Sequence, residues 1–220
     1  MFALLSGILF LLIIVVLSIA GEKYGYEVFS EYNAEAKLNK INENPQKFRT
    51  AITLVVFEHV IIVVLSISMF LAFGSYSIIL GLMWLLARSI EGLLQINNKR
   101  TFIGLADIAA QYSNSSETEK EDLENKTLSL LKSKNSTFTV AQLLFSIGTF
   151  AYSLVFVLYA VIPIPIGWLG IVTSIVYGLG NAVYRIRPTS KMLWNIGGLL
   201  IFIFELVLGG WLVISSFIAF

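Results

Sequence analysis

The chain has no cysteine and a single histidine among its 220 residues. The first absence removes disulfides, thiolate nucleophiles and cysteine-ligated metals together. The second removes two-His zinc sites and bis-His haem sites, so neither a metal nor another cofactor is expected. Charge is also scarce: Asp, Glu, Lys and Arg make up 13% of the chain, about half the share usual in soluble domains. The net charge of +1 supplies no field that would attract nucleic acid, and no basic stripe interleaved with aromatics occurs. Nucleophile elbows, Walker loops and HExxH helices are missing, so the sequence points away from an enzyme.

What the chain has in abundance is apolar residues, at 57%. A bilayer core of about 30 Å is crossed by about 20 apolar residues in a helix. Six stretches qualify: 2–20, 51–73, 77–96, 138–162, 168–184 and 193–220. They are continuous rather than alternating, which selects helices over barrel strands. The expected fold is all-α, a single membrane domain over residues 1–220. It is a bundle of six transmembrane helices with two long polar loops, 21–50 and 97–137, on one face. The other connections, "GSY", "PIPIG" and "RIRPTSK", are short. Within the long loops Asn44 and Pro45 read as an N-cap and first helical position, and Ser116 to Glu119 ("SETE") has capping-box spacing. Their mixed charges predict solvated or interfacial helices.

Of the 15 Lys and Arg residues only Arg88 lies inside a span, and the other 14 fall on the long-loop face. The positive-inside rule therefore puts the long loops in the cytoplasm and both termini outside. Three Asn-X-Ser/Thr sequons in the second long loop, at Asn114, Asn125 and Asn135, pull the other way, since glycan acceptors matter only outside.

Each charge at a helix centre costs roughly 2.5–3.5 kcal/mol on insertion scales, so each needs a reason. The second span carries Glu58 and His59, the third Arg88 and Glu91, and the sixth Glu205. Arg88 and Glu91 are three apart, share a helix face and can pair. Adjacent residues on a helix point about 100° apart, so Glu58 and His59 are not expected to form a dyad. Two readings follow. In one, Arg88 and Glu205 form the ionic centre of a polar intramembrane cavity, lined by Glu58 and Glu91 with His59 at its side, that binds a small molecule, a lipid or a proton. In the other, the protein is a non-catalytic interaction subunit that holds a membrane complex through the stripe from Gly170 to Ala182 or the long loops; separately, the ion pairs are also compatible with simple packing devices between helices. An intramembrane enzyme ranks third. Gly170, Ser174, Gly178 and Ala182 repeat every four residues on the fifth span, a stripe that lets another helix approach closely. Packing within the chain is the favoured use of this stripe over a partner subunit.

The segments "LLSGILFLLIIV", "LLARSIEGLL", "GWLGIVTSIVYGLG" and "FELVLGGWLVISSF" resemble the prokaryotic family called domain of unknown function 4386. The likeness runs from the first span to the last. It implies a multi-span protein of a prokaryotic cell membrane and supplies no activity or substrate. Residue by residue, it matches Arg88 to the third-span Arg and Glu205 to the Glu opening the last motif. The chain departs from that pattern in having no basic residue before its first span or in "PIPIG".

Overall fold

The computed structural model describes residues 1–187 and 192–218. Most of the "RIRPTSK" turn and the last two residues of the expected sixth span lie outside the described residues. The order is α1 (Phe2–Glu22), α2 (Ala34–Glu43), α3 (Pro45–Phe73), a single 3-10 turn (Gly74–Tyr76), α4 (Ile78–Phe102), α5 (Leu105–Tyr112), α6 (Glu117–Tyr159), α7 (Ile164–Ile186) and α8 (Met192–Ile218), with no strand among the described residues. Six of the helical stretches are long and apolar enough to cross a membrane.

The helix ends follow local chemistry. The Asn44 side chain accepts from the Lys47 N–H at 2.8 Å, and α3 starts at Pro45, whose missing N–H costs nothing there. Glu119 accepts from both the N–H and the hydroxyl of Ser116, each at 2.8 Å, and α6 starts at the next residue. The expected long loop at 97–137 is therefore mostly helix. α4 runs on to Phe102, and the fourth spanning helix begins at Glu117 rather than Phe138. At 43 residues α6 is about 65 Å long, roughly twice what a bilayer core requires. Hydropathy marks only the lipid-facing part of such a helix, because backbone hydrogen bonding continues wherever the cap and propensity allow it.

The chain divides into two compact units, each discontinuous in sequence. Unit 1 comprises Met1–Val15, Val60–Leu93 and Thr139–Phe220, and unit 2 comprises Val16–His59 and Leu94–Phe138. The segments expected as the two long loops thus fall in one unit.

The surface chemistry of the two units is opposite. In unit 1, α7 buries Gly167, Gly170, Ser174, Tyr177 and Asn181, and exposes Trp168, Val172, Ile175 and Leu179. Small and polar residues on the buried face with large apolar residues outside suit a helix whose outer surface meets lipid. Unit 2 has the water-facing arrangement. Its core is Leu38, Ile41, Ile52, Phe102, Leu105, Ile108, Tyr112 and Leu131, while Glu31, Glu35, Lys47, Asp107, Glu121 and Lys132 are exposed.

Candidate functional site

The candidate ionic residues separate between the units. In unit 1, Arg88 is 1% exposed and its guanidinium donates to Glu91 at 2.5 Å. The Phe145 and Trp84 rings flank the guanidinium, with centroids 4.3 and 5.5 Å away. Gly148 leaves room for the Arg88 stem, since a Cβ there would come within 3.1 Å of it. Glu205 is half-buried, and it shares with Glu91 an electrostatic influence on the buried Tyr177 hydroxyl. Among the described residues Arg88 Nε has no hydrogen-bond partner. The stripe on α7 is occupied within this unit. A Cβ at Gly170 would strike Ser153 and Phe204, one at Gly178 would press on Ser146, and Ser174 is buried. Ala182 is half-buried.

Glu58 and His59 are both buried and both belong to unit 2. The separation expected from helical geometry does not hold: Glu58 Oε2 lies 2.6 Å from His59 Nδ1. The Cα vectors diverge, but two flexible side chains can curl toward each other. The aligned hydrogen bond from that nitrogen goes instead to the Val55 carbonyl, also at 2.6 Å, so Nδ1 is the donor, and among the described residues Glu58 Oε2 has no hydrogen-bond partner.

Unit 2 also buries two lysines of the polar 97–137 segment. Lys99 and Lys134 are both 0% exposed. Their ammonium groups lie 5.7 and 5.5 Å from the centroid of the Tyr26 ring. Lys134 is fully satisfied: it donates to the carbonyls of Glu27 and Val28 at 2.8 Å and to the Ser30 hydroxyl at 3.0 Å. The neighbouring Asn135 clasps the same stretch, accepting from Ser30 N–H at 3.0 Å and donating to Ser30 C=O at 2.8 Å. These two residues fix the backbone at 27–30. The buried Asn135 amide is thus engaged in the fold, which removes it as a glycan acceptor, whereas Asn114 and Asn125 are exposed. Lys99 donates to Gln95 Oε1 at 3.2 Å, and Gln95 Nε2 has no partner among the described residues. Glu58 is near enough to act electrostatically on both Lys99 and Tyr26.

The turn before this stretch depends on Gly25, whose φ of 70° lets Tyr26 N–H return to the Ala20 carbonyl at 2.9 Å. That reversal sets Tyr26 and Glu27 beside α2 and the start of α3, where unit 2 has a cavity of about 340 Å³. Ile41, Phe48, Ala51, Ile52 and Phe102 form its apolar wall, and Tyr24, Tyr26, Glu27, Lys37, Lys40 and Lys47 supply its polar side. Lys37 and Lys40 each donate to one oxygen of Glu27 at 2.8 Å. Burial alone would raise the Glu27 carboxyl, but the two lysine hydrogen bonds and charges outweigh it and hold it below the usual carboxylate range. The Lys40 ammonium is correspondingly raised, through its hydrogen bond to Glu27. Burial, reinforced by the charge of Glu58, raises the Tyr26 phenol. Among the described residues no group of His, Asp and Glu could hold a metal ion.

A signal for Lys99 existed in the sequence. Arg88, Glu91, Gln95, Asn98 and Lys99 continue one face of α4 at helical spacing, past the point where apolarity ends. The Glu27 clamp had none, because its three members meet only through the turn at Gly25.

Six apolar helices, with lipid-compatible surfaces outside and polar side chains inside, define a multi-pass integral membrane protein. The sequence profile of the family described as domain of unknown function (DUF4386) matches residues 5–215, and the chain belongs to that family. Comparison with curated proteins gives no match, and comparison with solved structures gives none.

Proposed function

We propose that the protein binds a small amphiphilic molecule in the unit 2 cavity. The carrying observation is the cavity itself, about 340 Å³ with an apolar wall facing an ordered Glu–Lys–Lys cluster. A concave, mostly apolar site with a few convergent polar groups and shifted titrations is the physical profile of a ligand site. An amphiphile would lay its apolar body on Ile41, Phe48 and Ile52 and its head toward Glu27, Lys37 and Lys40. In this reading Arg88–Glu91, with Glu205 and Tyr177, is a packing device of unit 1. It replaces the arrangement in which Arg88 and Glu205 centre the cavity. The stripe from Gly170 to Gly178 is used inside unit 1, so a partner subunit in the membrane would need another surface.

The same reading assigns the cavity to the cytoplasmic side of a prokaryotic cell membrane. Eleven of the fifteen Lys and Arg residues belong to unit 2, the exceptions being Arg88, Arg185, Arg187 and Lys191, and basic segments are retained on the cytoplasmic side.

A photoreactive alkyl alcohol carrying a diazirine tests the binding reading. On irradiation of the protein in nanodiscs, peptide mapping should find adducts at Tyr24, Ile41 and Phe48. Adducts confined to lipid-facing positions such as Val172 and Ile175 would show that the cavity takes no ligand.

A further inference from the structure

We infer that the cavity selects amphiphiles with an anionic head, and that Glu27 is a built-in competitor occupying the receptor for that head. This rests on the cavity being a ligand site.

The Glu27 carboxylate is held in a two-pronged clamp. Its Oε2 accepts from Lys37 and its Oε1 from Lys40, both at 2.8 Å. The two lysines are three apart on α2, so they project from one helix face. That arrangement matches a carboxylate or phosphate that offers two oxygens to two ammonium groups. With Glu27 in place the charges around the clamp balance: Glu27 sits on Lys37 and Lys40, and Glu31 and Glu43 act on Lys40 while Lys47 adds a third cation to the lining. Turning Glu27 out leaves the two ammonium groups in excess, which an incoming anion would restore to balance. An incoming anion that displaced Glu27 would lose nothing in geometry, and the apolar wall would contribute binding that Glu27 cannot.

Exchange is built into how Glu27 is tethered. Lys134 and Asn135 anchor the backbone at 27–30, with Lys134 bonded to the Glu27 carbonyl itself. The carboxylate is held only through its side chain, which is 34% exposed, and it can turn to water without disturbing that anchor. Lys40 is 62% exposed and Lys37 12%, so one prong is open to solvent and the other is largely covered, and both line the cavity. The displaced carboxylate would be hydrated, and the vacated lysines would pair with the ligand head.

Native mass spectrometry of the full chain released from nanodiscs, titrated with decanoate and with decanol, tests the inference. The wild type should bind decanoate more tightly than decanol. Glu27→Gln should raise decanoate affinity by roughly threefold to tenfold and leave decanol unchanged, because the partly exposed ion pairs it removes are individually weak. Lys37→Gln with Lys40→Gln should bring the two probes to equal affinity. Equal binding of decanoate and decanol in wild type and Glu27→Gln would overturn the anion selectivity while leaving the cavity reading intact. Failure of both probes to bind would instead remove the cavity reading. Acetate binding as tightly as decanoate would overturn the requirement for an apolar tail and reassign the clamp to a free anion.

Discussion

Lys134→Met is the most informative single perturbation of the fold. The substitution keeps a long apolar stem and deletes the ammonium. It removes three hydrogen bonds, to the Glu27 and Val28 carbonyls and the Ser30 hydroxyl, from a side chain with no solvent exposure. Each hydrogen bond from a charged donor contributes about 1.5–3 kcal/mol, so the gross loss is about 5–9 kcal/mol. Against this, replacing the ammonium with a thioether relieves a desolvation penalty of several kcal/mol. We predict a net loss of about 2–4 kcal/mol, or a fall in apparent Tm of about 5–15 °C for a chain of this size. The assay is thermal unfolding in mild detergent, with hydrogen exchange at 27–30 as a local readout. Lys132→Met is the control. Lys132 is exposed on the same helix, and its loss should stay within about 0.5 kcal/mol. If the two variants unfold alike and Ser30 exchanges no faster in Lys134→Met, the anchoring role assigned to Lys134 is wrong.

Three further predictions concern other parts of the molecule. Arg88→Ala should destabilise by about 3–5 kcal/mol because Glu91 stays buried without its cation, and replacing both with Leu should restore much of the loss; wild-type-like unfolding of the single variant would contradict the buried-pair account. Gly170→Ala should cost about 1–3 kcal/mol, since its Cβ would stand 2.7 Å from the Phe204 ring, whereas Gly210→Ala, which meets nothing within 4 Å, should be neutral; equal Tm values for the two would refute the close approach at Gly170. The Glu27 carboxyl is depressed in the folded state, so its ion pairs stabilise the protein above about pH 4.5 and the contribution fades as pH falls through the folded value. Acid unfolding of wild type and Glu27→Gln should therefore differ at neutral pH and converge in acid, and a gap that persists at low pH would sink the argument.

Much of the helix inventory was legible in the sequence because it rests on local terms. Continuous apolar runs fix where lipid-facing helix lies, Asn44–Pro45 starts α3, and the Ser116–Glu119 spacing starts α6. Helical spacing made Arg88–Glu91 a candidate pair beside Arg88–Glu205, and the structure shows Arg88 donating to Glu91. Apolarity alone measures neither helix length nor the burial of single side chains. Lys99 and Lys134 lie in segments whose average composition is polar, yet each points into a core built by residues from other helices. Burial of one side chain inside a polar segment leaves no trace in a windowed average. The Glu58–His59 contact was likewise hidden, because Cα geometry constrains side-chain tips only loosely.

Sequence was enough for the class, an all-helical membrane protein with six spanning helices, for the starts of α3 and α6, and for Arg88–Glu91 as one of two candidate ion pairs. These depend on hydration of the backbone and on contacts within one or two helical turns. Only folding reveals that Lys134 is interior, that Asn135 is a clasp, and that Glu27 meets Lys37 and Lys40 beside a cavity. Each of these is a meeting of residues distant in sequence, or turned together by a single glycine. Their energy depends on desolvation, which is set by what surrounds a group in space and not by its neighbours along the chain.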